Sequence, residues 1–132
     1  MDKVRIGVIG GTGLYEIPEL AEVRRVSIET PFGAPSDSIL IGELSGEQVA
    51  FIPRHGEGHR IAPSELPFQA NIFALKTLGV EFIIAVNACG SMRQDIRPLE
   101  VVIPDQLFDH TKTRPRTFFG RGLVIHISFA QP

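Results

Sequence analysis

The chain has 132 residues, 43% of them hydrophobic, and a formal net charge of −2. That length fits one domain with a real core, and a balanced charge without a lysine or arginine block excludes the electrostatic footprint of a nucleic-acid binder. Its apolar runs are of strand length, too short for a membrane span; it opens directly on a strand pattern without a signal peptide, and its one cysteine, Cys89, permits no internal disulfide, so a reducing, cytoplasmic setting is expected.

Residues 4–9 alternate and then run apolar through Val4, Ile6, Val8 and Ile9, the pattern of a first strand buried on both faces. Gly10-Gly11-Thr12-Gly13 follows where such a strand would leave a sheet, and backbone N–H groups there, with the Thr12 hydroxyl, can face an oxyanion. A dinucleotide fingerprint would need a third glycine where Glu16 stands and a helix where Pro18 interrupts; a Walker loop would need Lys-Ser or Lys-Thr after the glycines. For the glycine cluster taken alone, a tight turn without a ligand is the equal alternative. Residues 23–29 alternate as a second, more exposed strand, and residues 30–35, with two prolines and a glycine, read as a loop. Residues 38–44 and 48–53 predict a β-hairpin around Ser45-Gly46-Glu47, and residues 55–63, with two glycines, read as irregular.

The spacing predicts a helix over residues 67–78. Phe68, Ile72 and Leu75 recur at helical intervals, Phe73, Ala74 and Leu78 widen the stripe, Ser64 is a candidate N-cap and Gly79 a candidate C-cap. Residues 81–86 then predict a second core strand. Strand, helix and strand with short joins form a βαβ unit, so the fold class expected is α/β, with a mixed, partly parallel sheet and flanking helices. Residues 101–103 and 106–108 suggest a further strand broken at Pro104, residues 111–122 read as basic, aromatic and irregular, and residues 123–129 read as a last strand with no closing helix after it.

In open α/β sheets a ligand binds outside the carboxyl ends of the strands, and residues 10–13, Arg54-His55 and Asn87-Ala88 all fall at such ends. Arg54 offers a planar fork of donors that fits two phosphate oxygens at once. A lone arginine would more simply form a surface ion pair; convergence with two other strand ends favours an anion pocket. His55 adds a donor whose charge varies near neutral pH, and Asn87 with the N–H groups after it completes the cradle. His55, Glu57 and His59 alternate as a metal site might, but Gly56 and Gly58 break any regular strand and no further ligand cluster is supplied, so no metal is expected. Cys89 reads as a small buried residue without an activating neighbour. His110 and His126 read as surface or half-buried histidines, and Asp105 and Asp109 lack the local context of catalytic carboxylates.

The run Gly7-Val8-Ile9-Gly10-Gly11-Thr12-Gly13-Leu14 and Thr30-Pro31-Phe32-Gly33-Ala34-Pro35-Ser36-Asp37 are followed by Arg54-His55-Gly56 with His59, and by Gln69-Ala70-Asn71-Ile72 with Ala74-Leu75. Ala88-Cys89-Gly90-Ser91, Ile103-Pro104-Asp105-Gln106 and Arg114-Pro115 complete the series. In this order, over essentially the whole chain, they resemble the methylthioadenosine phosphorylase family, one of the trimeric purine nucleoside phosphorylases. The resemblance implies attack of phosphate on the anomeric carbon of a 5′-methylthio-nucleoside, with no cofactor beyond phosphate as co-substrate. It implies that Thr12, Arg54, His55, Asn87 and Ala88 hold phosphate, that Ala88, Cys89 and Gly90 with His59 lie on the nucleoside side, and that His126 reaches a neighbouring subunit's site in a homotrimer. Asn87 departs from the threonine of many members, although an amide can still donate to phosphate. Members are roughly twice as long. The resemblance therefore implies an N-terminal half lacking the remaining phosphate contact, the sugar-binding methionine and the acidic residues that protonate the purine. A fragment, or a subunit with a complementary C-terminal chain elsewhere, is expected, with exposed strand edges that favour aggregation.

Overall fold

Why the first strand emerges beside two others is visible in a computed structural model, which describes residues 3–11 and 17–130. The chain divides into two units, Met1–Asn87 and Ala88–Pro132. The first holds a five-stranded sheet in the order β2-β3-β4-β1-β5, formed by β1 (Ile6–Gly10), β2 (Ala21–Val26), β3 (Ile39–Leu44), β4 (Glu47–Pro53) and β5 (Phe82–Ala85). β2, β3 and β4 pair antiparallel, whereas β1 runs parallel to both β4 and β5. The mixed, partly parallel α/β sheet is thus as the sequence leads one to expect.

The hairpin turn is tighter than the three-residue join expected. Ser45 and Gly46 both adopt positive φ, 53° and 85°, as a two-residue type I′ turn requires, and that turn matches the right-handed twist of β3 and β4. β2 begins earlier than expected and ends at Val26. Its register shifts between Ala21 and Arg24, and residues 27–29 lie beyond the ladder.

Alternation along β3 and β4 divides the core into two faces. Ile39, Ile41, Ala50 and Ile52 pack with Val4, Ala74, Leu75 and Val80 under the helix. Leu40, Val49, Phe51 and Val8 pack on the other side. The helix, α1, spans Phe68–Thr77 after a short 3-10 turn at Pro63–Glu65. Ser64 lies inside that turn and does not cap α1; Pro67 is the N-cap residue and makes no side-chain cap bond. Gly79, at φ +93°, takes the left-handed position just beyond the C-cap Leu78. Ala74 and Leu75 of the expected stripe are buried, joined by Ala70 and Asn71, whereas Phe68, Ile72, Phe73 and Leu78 are only half-buried. Small residues explain this choice of face, because two alanines one turn apart let the helix approach the sheet closely. On the facing strand, a Cβ at Gly7 would sit 3.0 Å from Val80 Cγ1 and 3.2 Å from Leu75 Cδ1.

Two expectations require correction. Residues 81–86 were expected to form a core strand, yet β5 is the sheet edge and each of its residues is exposed. An apolar sequence is buried only when a neighbouring strand and a covering layer are supplied, and the described residues supply neither on the free side of β5. Residues 101–103, 106–108 and 123–129 form no strands, because a ladder needs a partner whose backbone is in register. The second unit is instead organised by local contacts. The Ser91 hydroxyl accepts the Arg93 N–H, Arg93 forms a forked pair with Asp95, and Asp109 accepts from Thr111.

Candidate functional site

The three carboxyl ends singled out in the sequence lie side by side. Gly10 is paired with Pro53 and Ile9 with Ala85, so β4, β1 and β5 finish together at one margin of the sheet. The Arg54 N–H donates to Gly10 O at 2.9 Å and the Val86 N–H to Ile9 O at 2.8 Å, extending both ladders one step past the strands. Neighbouring strands lie about 4.8 Å apart. The Arg54 side chain spans the mouth of β1 from β4 to β5, donating through Nη1 to the Asn87 Oδ1. Asn87 Nδ2 in turn donates to Ala85 O at 3.3 Å. Arg54, His55, His59 and Asn87 are therefore brought into one cluster at the end of β1. Thr12 and Gly13 lie outside the described residues.

His55 is buried, at 6% exposure, and its ring is fixed from three directions. Its Nδ1 lies 2.8 Å from Ile61 O, Arg54 Nε donates to its Nε2 at 3.1 Å, and the His59 ring stacks on it with centroids 4.3 Å apart. The turn that carries these groups needs its glycines. Gly56 has φ +71°, and a Cβ there would come within 3.0 Å of Arg60 Nε and 3.1 Å of Ser36 O.

Arg60, adjoining His59 in sequence, is engaged away from this cluster. Its Nη2 donates to Asp37 Oδ2 at 2.7 Å, and the same oxygen accepts the Glu57 N–H at 2.9 Å while Oδ1 accepts the Ser38 N–H at 2.8 Å. Partial burial alone would raise the Asp37 pKa; the bonds from Glu57, Arg60 and Ser38, with the charge of Arg60, outweigh it and hold the carboxyl below its ordinary value. Behind this lock, Ser36 N donates to the buried Asn71 Oδ1 at 2.8 Å and Ser36 Oγ donates to Pro53 O at 2.6 Å. Sequence reasoning missed this Ser36–Asp37–Arg60–Asn71 network as the support of the site. A Ser-Asp pair in a proline-rich loop was its available signal. An open cavity of about 610 Å³ is lined by Ser27, Pro35, Asp37, Ser38 and Arg60 among others, and by none of Arg54, His55 or Asn87.

Glu57 pairs with Arg25 at 3.0 Å, and no group of three or more potential metal ligands occurs among the described residues. Ala88, Cys89, Gly90 and His126 belong to the second unit, where all four are exposed. Cys89 is a free, exposed thiol, contrary to the buried position expected, because it follows an edge strand rather than a core one. No helix among the described residues is long and apolar enough to cross a membrane.

Parallel strand ends that bring an arginine fork and an amide together at one sheet margin define an α/β protein. The chain belongs to the phosphorylase superfamily, whose family model matches residues 5–132. It is 60% identical over 130 residues to the S-methyl-5′-thioadenosine phosphorylase of Gloeobacter violaceus, covering 98% of this chain and 44% of the relative. It is 56% identical over 133 residues to the enzyme of that name from Chloroflexus aurantiacus, covering 100% of this chain and 46% of the relative. Among solved structures it resembles a methylthioadenosine phosphorylase from an antarctic soil metagenomic library, with 54% identity and a TM-score of 0.92 over 98% of this chain and 46% of the other. It also resembles the Schistosoma mansoni methylthioadenosine phosphorylase in complex with adenine, with 40% identity and a TM-score of 0.88 over 98% and 46%. The chain thus spans less than half the length of these relatives.

Proposed function

We propose that Arg54, His55 and Asn87, with Thr12 and Ala88, form the phosphate side of a site for phosphorolysis of 5′-methylthioadenosine to adenine and 5-methylthioribose 1-phosphate. The observation that carries this reading is the Arg54 guanidinium laid across the ends of β4, β1 and β5. A phosphate dianion held there faces one side of the sugar; as the glycosidic bond breaks it stabilises the oxocarbenium charge and then becomes the nucleophile. Ala88, Cys89, Gly90 and His59 take the nucleoside side in this reading, and His126 a neighbouring subunit's site in a cytoplasmic homotrimer.

The coverage of the relatives favours a second reading, a phosphate-binding part that needs a complementary chain. The test is phosphate-dependent release of adenine from methylthioadenosine by the purified chain. It is run alone and with the part of the Gloeobacter violaceus relative outside the matched stretch, with methylthioinosine and inosine as competing substrates. Release that requires phosphate in either mixture supports the reading. No release in both contradicts it, and preference for inosine or methylthioinosine would replace the substrate by a 6-oxopurine nucleoside.

A further inference from the structure

The arrangement around His55 carries a conclusion about its role that rests on the phosphate-pocket reading and refines it. Arginine has donors only, so the contact between Arg54 Nε and His55 Nε2 at 3.1 Å requires a lone pair on Nε2. The ring proton then sits on Nδ1, where Ile61 O accepts it at 2.8 Å. The backbone repeats the clasp, since the Ile61 N–H donates to His55 O at 3.0 Å. Burial and the stacked His59 ring hold the imidazole in this orientation. Both ring nitrogens are thereby committed within the chain.

We propose that His55 is a positioning residue: a neutral imidazole, protonated at Nδ1, whose Nε2 lone pair holds the Arg54 guanidinium across the strand ends so that its η nitrogens meet phosphate. A carbonyl bonded to one ring nitrogen fixes the tautomer and so the function of the other. The donor offered to the anion is the arginine, pre-oriented; the histidine supplies the acceptor that orients it. Side-chain ordering that would otherwise accompany binding is already in place.

Long-range proton–nitrogen NMR of the nitrogen-15-labelled 132-residue chain at neutral pH, with and without inorganic phosphate, reads this directly. The expected spectrum shows a protonated Nδ1 and an unprotonated Nε2 for His55 in both conditions, with the Nε2 resonance displaced in Arg54→Ala. A proton on Nε2 without phosphate, or one gained as phosphate binds, overturns the proposal, as does an Nε2 resonance indifferent to Arg54→Ala. Should phosphate bind nowhere, the pocket reading fails, while the tautomer of the free chain and its response to Arg54→Ala still decide the role of His55. In folded variants, His55→Gln, which retains an acceptor, keeps phosphate affinity within about threefold, and His55→Leu lowers it about tenfold, the worth of one hydrogen bond. Unchanged affinity in His55→Leu counts against the role.

Discussion

Asp37 fastens the loop that carries His55 and His59, and its depressed pKa gives that lock a pH signature. A carboxyl lowered on folding contributes stability above its unfolded value of about 3.9 and loses that contribution as pH falls through the folded value. The stability gap between the wild-type chain and Asp37→Asn is therefore expected to be widest above about pH 5 and to close on further acidification. Thermal unfolding midpoints across that range check it; a gap independent of pH would contradict the assignment. Gly56 sets the other constraint. At φ +71°, with Arg60 Nε and Ser36 O only 3.0 and 3.1 Å from where a Cβ would stand, Gly56→Ala costs about 1–2 kcal/mol in backbone conformation alone. A urea midpoint unchanged in that variant would refute the strain.

At the scale of elements, the buried amide of Asn71 joins α1 to the loop before β3 and, through Ser36, to the end of β4. Asn71→Ala leaves the Ser36 N–H without its acceptor and is expected to lose about 1–3 kcal/mol in urea unfolding. A loss below about 0.5 kcal/mol, typical of surface substitutions, would show that the bond is dispensable. The helix also shows where a sequence stops being legible. Phe68, Ile72 and Leu75 were recognisable as helical, but the choice of buried face depended on how near α1 could approach Gly7, a distance set by the sheet and absent from the helix's own pattern. Arg54, His55 and Asn87 were legible as a site because the strands they follow, β4 and β5, both pair in parallel with β1, which brings their ends together. The Asp37–Arg60 bond joins residues far apart in sequence and had no periodic signal to announce it.

For the whole molecule, the edge at β5 is decisive. Phe82, Ile84 and Val86 are 60%, 54% and 44% exposed on or just beyond a strand with one unpaired side, and such an edge recruits another chain unless it is charged or covered. Ile84→Lys is expected to reduce concentration-dependent self-association measured by light scattering, and equal association in the variant would place the contact elsewhere. The strand's apolar sequence was readable; its exposure was not, because burial depends on a neighbour beyond β5, and the described residues place none there. In the proposed site, the joined ends of β4, β1 and β5 hold phosphate through Arg54. Calorimetric titration of inorganic phosphate into the chain and into Arg54→Ala tests it most directly. Saturable binding weakened about tenfold or more in the variant is predicted, since a charge-assisted contact contributes about 1.5–3 kcal/mol. No saturable binding to the folded chain, or equal affinity in the variant, would contradict it.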